Sequence, residues 1–212
     1  MIKVSIKKLE SFDKRILSEI VKIHMETFRG FFLTFMGKGF LYQMYKSYIM
    51  HDDSNIIIAE DNNKIVGFLA YSTNMSGLYK YMIKHRLVPF AWYSAGAFFR
   101  KPKVFMRLVR AFLKPGEASR AESYVELSSI GVSPEVKSKG IGTALIEFLK
   151  QNVDFNKYEY IKLETDSIDN ELANHFYVKN GFTLKGEYET SEGRKMNEYH
   201  YYGGSKNESF VS

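Results

Sequence analysis

Residues 129–146, SIGVSPEVKSKGIGTALI, allow few local structures. The apolar run ending at Val132 reads as a strand, and Pro134 stops its pairing because proline has no N–H to donate. Lys137-Ser138-Lys139-Gly140-Ile141-Gly142 then leads into a helix expected over 138–153, with Ile141, Leu145 and Phe148 on its buried side. Gly140 and Gly142 let backbone approach a ligand closely. The amide hydrogens that open such a helix, from Ser138 to Thr143, have no intrahelical partner and lie at the positive end of its dipole. Lys137 and Lys139 add full positive charge, so the turn is suited to a pyrophosphate. The plainer alternative is a glycine-rich strand-to-helix turn with no ligand, since short glycine motifs are common.

Two familiar phosphate sites fit poorly. A P-loop needs Lys followed by Ser or Thr directly after its last glycine, and Gly142 is followed by Thr143-Ala144. A dinucleotide fingerprint wants a third Gly or Ala where Leu145 stands, within an early βαβ unit.

The rest of the chain alternates between elements. IKVSIKK at 2–8 reads as a half-buried strand, followed by a helix capped by Ser11 with Ile16, Ile20, Ile23 and Phe28 along one face. An aromatic turn region at 29–39 precedes a second helical stretch at 40–50. NIIIAED at 55–61 and KIVGFLAYST at 64–73 form a hairpin about Asn62-Asn63. Residues 75–120 interrupt this rhythm as two or three short helices punctuated by Pro89, Pro102 and Pro115. Strands at 124–132 and 158–166 alternate with helices at 138–153 and 170–180, and Gly181 suits the left-handed position past the last helix. A hairpin closes a single domain over 1–204, and 205–212 is a frayed tail. This order predicts an α/β mixed sheet with helices on both faces and a helical insertion before the glycine turn.

The run Ile130-Gly131-Val132-Ser133-Pro134, with Lys137, Gly140 and Gly142, resembles the acyl-CoA signature of the GNAT N-acetyltransferase superfamily. Lys137 stands where the family has Arg or Gln, keeping the cation but losing the fork geometry. A second stretch, DNELANHFYVKNGF at 169–182, resembles the family's helix motif through Asn170, Tyr177, Gly181 and Phe182. The resemblance covers about 122–188 closely. It implies a central, mostly antiparallel sheet splayed at two neighbouring parallel strands, and acetyl-CoA as co-substrate. Backbone groups of Ile130, Gly131 and Val132 would grip the pantetheine. Lys137, Ser138, Lys139, Gly140, Ile141, Gly142 and Thr143 would hold the diphosphate.

Acyl transfer from a thioester to an amine needs a base for the ammonium, stabilisation of the carbonyl oxygen and an acid for the leaving thiolate. Glu126 is the first candidate base: it interrupts an uncharged strand, and some family members carry a glutamate at its distance from the glycine turn. A solvated or ion-paired glutamate is its ordinary alternative. Glu164, on the following strand, is the second candidate, and direct loss of the proton to water is the third option. The resemblance makes Tyr177 the acid that protonates the CoA sulfur, against the alternative of a tyrosine packed on the sheet. Asn170 would bond the pantetheine arm or cap its helix. His175 is expected to be structural. His24, Phe28, Phe31 and Phe32 fall where relatives bind the acceptor, although core packing explains the phenylalanines as well.

Charge narrows the partners. Net charge is +6, and no acidic residue lies between Asp61 and Glu117, a stretch with ten basic ones. A solvated basic face, a dock for an acidic acceptor and contact with an anionic membrane surface are the open readings. No nucleic-acid recognition module is visible. Cysteine is absent, which excludes thiolate chemistry and fits a cytoplasmic location. No histidine pair has metal spacing, so no metal is expected. The expected function is N-acetyl transfer to a small primary amine, an amino sugar or nucleotide sugar first. A protein or peptide amine and a non-catalytic acyl-CoA-binding module are the alternatives. A monomer or a homodimer is equally compatible.

Overall fold

A computed structural model describes residues 4–100, 102, 123–136, 140–190 and 193–204. Lys137, Ser138 and Lys139, most of the insertion past Arg100 and the tail expected at 205–212 lie outside the described residues.

The N-terminal strand β1 (Ser5–Lys8) leads to α1 (Lys14–Thr27), α2 (Phe32–Met36) and α3 (Lys38–Met50). Asp13, not Ser11, caps α1: its carboxylate accepts from the Ile16 amide at 2.9 Å. An acceptor three residues before a free amide is what the first helical turn requires, and Ser11 lies two residues too early. Strands β2 (Ser54–Asp61) and β3 (Lys64–Ser72) form the expected hairpin. Asn62 and Asn63 both have positive φ, 48° and 64°, as in the tight turns that match strand twist.

Helix α4 (Met75–Arg100) corrects the expectation of several short helices, because it runs unbroken through Pro89. An interior proline costs about 3 kcal/mol. Met75, Leu78, Met82 and Phe90 are buried in the core, two of them fully, and that packing offsets the lost bond. Strand β4 (Tyr124–Val132), α5 (Ile141–Asn152), β5 (Tyr160–Asp166), α6 (Glu171–Lys179), β6 (Thr183–Glu189) and β7 (Lys195–Tyr201) complete the described elements. Gly181 has φ +78°, the left-handed conformation expected past α6.

The strands form one seven-stranded sheet in the order β1-β2-β3-β4-β5-β7-β6. Only β4 and β5 are parallel among the described pairs. Alternate residues face opposite sides. Ile56, Ile58, Phe68 and Ala70 pack against α1, α3 and α4, while Ile57, Leu69, Val125, Leu127, Ile161 and Leu163 pack beneath α5. No described helix is long and apolar enough to cross a membrane.

Candidate active site

The parallel pairing of β4 with β5 spans only Tyr124–Tyr160, Val125–Ile161 and Glu126–Lys162. Beyond that rung the two strands part, while β4 stays paired with β3 as far as Val132 and β5 with β7 as far as Asp166. The register of β3 and β4 shifts where they separate: Tyr71 pairs with Leu127 and Ala70 with Ser129, which leaves Ser128 as an extra residue. A bulge bends its strand and increases its twist, which turns β4 away from β5.

Past the bulge the backbone groups sort by alternation. The Ser133 amide donates to Val66 O at 2.8 Å, so Ser133 and Gly131 direct their backbone groups to β3. Ile130 and Val132 therefore point theirs toward the gap; Val132 O also accepts from the Thr27 hydroxyl at 3.2 Å. Gly131, grouped with them on the sequence, has a different constraint: a Cβ there would stand 2.8 Å from Phe68 Cε1.

At the end of the gap stands the N-terminus of α5. Gly140 takes φ +75°, and no described side chain caps the helix. Its carbonyl accepts from the Ala144 amide, so the amides of Ile141, Gly142 and Thr143 have no intrahelical partner. A Cβ at Gly142 would meet Phe176 Cζ of α6 at 3.0 Å, so the glycine lets the two helices close over this end of the sheet.

One polar cluster lies on the α4 side of the fork. Lys162, largely buried, reaches Glu164 Oε1 at 2.6 Å and Glu126 Oε2 at 3.8 Å. Burial works against its charge, but the two carboxylates outweigh burial and raise its pKa. The Tyr188 hydroxyl donates to Glu164 Oε2 at 2.5 Å. Glu198 lies opposite Glu164 on β7, and its Oε1 is 2.6 Å from His200 Nε2. Tyr79 of α4 is half-buried, and desolvation, with Tyr48, Glu126 and Glu164 adding to it, raises its pKa.

On the opposite face, Tyr177 of α6 packs with Phe176, Phe182 and Tyr199, ring centroids 5.4–6.1 Å away. Burial pushes its phenol up to about 12, and it has no hydrogen-bond partner among the described residues. Asn170 does not cap α6 with its side chain; its amide donates to the Thr165 hydroxyl at 2.7 Å and to Asp166 O at 3.2 Å. Asn170 does stand at the N-cap position, where its carbonyl accepts from the Asn174 amide, while its side-chain amide ties the helix start to the end of β5. His175 is exposed.

The sequence reading missed four residues of this region. Asn174 donates to Asp166 O and accepts from Asn197 and the Tyr199 hydroxyl, fastening α6 to β5 and β7. Lys162 and the Glu198–His200 pair were hidden because strand alternation alone does not say which polar residues a sheet brings together. His24 is a buried core residue, its Nδ1 bonded to Tyr45 at 2.6 Å, and burial lowers its pKa to about 4.

A family model described as "Acetyltransferase (GNAT) family" matches residues 17–182. The chain belongs to the GNAT acetyltransferase family. Family membership makes it an acetyl-CoA-dependent N-acetyltransferase. Solved structures share the GNAT fold at low identity. A GNAT-family acetyltransferase from Bacillus cereus is 18% identical, with TM-score 0.57 and coverage of 94% of this chain and 96% of that one. The ribosomal-protein-S18-alanine N-acetyltransferase from Escherichia coli is 14% identical, with TM-score 0.56 and 99% of each chain covered. An aminoglycoside 6'-acetyltransferase type Ii is 16% identical, with TM-score 0.59 and coverage of 93% and 96%. No curated protein matches the sequence.

Proposed function

We propose that this GNAT enzyme acetylates a primary amine of a small molecule, with an amino sugar as the favoured acceptor. The observation that carries the reading is the fork between β4 and β5, with Glu126 and Lys162 on its last paired rung and the uncapped start of α5 at its end. The backbone of Ile130 and Val132 would align the pantetheine arm as an unfinished strand is aligned. The amides of Ile141, Gly142 and Thr143 would hold the diphosphate, joined by Lys137, Ser138 and Lys139. The Asn170 amide nitrogen is already engaged, so its carbonyl oxygen would face a pantetheine N–H.

Acetyl-CoA supplies the activated acyl group. The acceptor nitrogen bonds to the thioester carbon, the carbon–sulfur bond breaks, and the sulfur takes its proton from Tyr177. The raised pKa of that phenol keeps the proton available at neutral pH. Glu126 takes the proton from the amine. Glu164 is the weaker base candidate because Lys162 and Tyr188 occupy both of its oxygens. The acceptor face carries Glu126 and Glu164 around Lys162, and two carboxylates to one ammonium favour a cationic amino sugar over a nucleotide-linked one.

Free-thiol release from acetyl-CoA, measured across amino sugars, nucleotide-linked amino sugars and peptides with free N-termini, tests the reading. Amino sugars should turn over fastest, and Glu126→Gln should lower kcat more than Glu164→Gln. Turnover confined to peptides would replace the acceptor class, while tight acetyl-CoA binding without any turnover would indicate a binding module.

A further inference from the structure

Helix α4 has two faces of different character. Met75, Leu78, Met82 and Phe90 point into the core, and the Phe90 ring packs tilted against Phe40 with centroids 4.8 Å apart. The opposite face begins with exposed Lys80 and Lys84 and continues with Leu87, Val88, Ala91, Trp92 and Phe99. Val88 is 78% exposed, Trp92 77% and Phe99 81%. At 1.5 Å per residue this apolar stretch is about 16 Å long from Val88 to Phe99. Single exposed apolar residues are ordinary, but several along one helical face mark a contact surface.

The charge around it identifies the occupant. Lys80 and Lys84 precede the apolar stretch on the same face, and Arg100, Lys101 and Lys103 follow it in the sequence. The nearest acidic residues in the chain are Asp61 and Glu117, so the segment contains no carboxylate to repel an anionic surface. A helix lying in a bilayer interface needs this combination: apolar and aromatic side chains on the outer face, with cations such as Lys80 and Lys84 beside them to reach headgroup phosphates. A protein partner would need a complementary pocket, whereas a lipid surface needs only the amphipathic face and the charge. The geometry points to α4 as a docking helix for an anionic membrane surface, inserting Val88, Trp92 and Phe99 between headgroups.

Trp92 is the single tryptophan of the chain, so its fluorescence reports directly on this face. The full chain would be titrated with vesicles of phosphatidylcholine alone or with one-third phosphatidylglycerol. A blue shift of the emission and co-sedimentation only with the anionic vesicles are expected, both lost at high salt. Lys80→Glu with Lys84→Glu should weaken vesicle binding at least about tenfold, because each basic residue near an anionic surface contributes substantially. Leu87→Ser with Val88→Ser should weaken binding while leaving the melting temperature and acetyl-CoA binding unchanged, since the two side chains are 56% and 78% exposed. An unshifted spectrum with anionic vesicles overturns the proposal, as does equal binding by these variants. A blue shift that grows with protein concentration in the absence of lipid would assign the face to a second copy of the chain instead.

Discussion

The Tyr45 hydroxyl lies 2.6 Å from His24 Nδ1 inside the core beneath the fork. The same hydroxyl lies 3.1 Å from Ser129 Oγ, so a buried polar chain runs from α1 through α3 to the residue just past the β4 bulge. His24 Nε2 has no partner among the described residues, and nothing nearby compensates a charge on the ring.

This burial makes stability depend on pH. The folded-state pKa of His24 is about 4, against 6.5 for the exposed side chain. Between those values the unfolded chain binds more protons, so stability is full above pH 6.5 and declines as pH falls toward 4. Urea unfolding should show a loss of about 2 kcal/mol between pH 7.5 and pH 5 from this group. In His24→Phe that part of the slope should vanish; an unchanged slope would remove His24 as its source.

Gly131 has a steric role that substitution can expose. A methyl group there would press on the fully buried Phe68 ring, and overpacking of this kind costs about 1–3 kcal/mol. Gly131→Ala should lower unfolding stability by that amount. Phe68→Leu should partly rescue it, giving a non-additive double-mutant cycle.

Tyr177→Phe keeps the ring packed against Phe182 and Tyr199 and removes only the hydroxyl. If that hydroxyl protonates the leaving sulfur, kcat should fall about 100-fold with little change in KM for acetyl-CoA. Because burial holds the phenol near 12, the wild-type rate should show no loss from its ionisation up to about pH 10. A kcat within a few-fold of wild type would leave Tyr177 as a packing residue.

Lys162 joins the two candidate bases electrostatically. Lys162→Met removes the ammonium held 2.6 Å from Glu164 and 3.8 Å from Glu126, so kcat/KM should fall about tenfold as both candidate bases lose the cation that positions them. Stability should also fall modestly, because two partly exposed carboxylates lose the counter-charge they share. An unchanged kcat/KM would show that Lys162 does not position the base.

Much of the site was legible because its parts are local. The positive φ of Gly140, the free amides after it, the Asn62-Asn63 turn and Gly181 past α6 all follow from backbone constraints within a few residues. Glycine and asparagine tolerate left-handed backbone, so these positions are written in residue type. The α1 cap and Pro89 were misplaced for the converse reason: a competing acceptor and the burial of the α4 core face outweighed local preference.

By itself the sequence determined the order of elements, the glycine turn that starts α5 and the residue types available at the fork. Each depends on periodicity and backbone sterics over neighbouring residues. Only the tertiary structure decided that the Ser128 bulge parts β4 from β5, that Lys162 bridges Glu126 and Glu164, and that one face of α4 stays in solvent. Those outcomes depend on strand register and on which faces find partners. Both are set by contacts between residues far apart in the chain, beyond the reach of any local pattern.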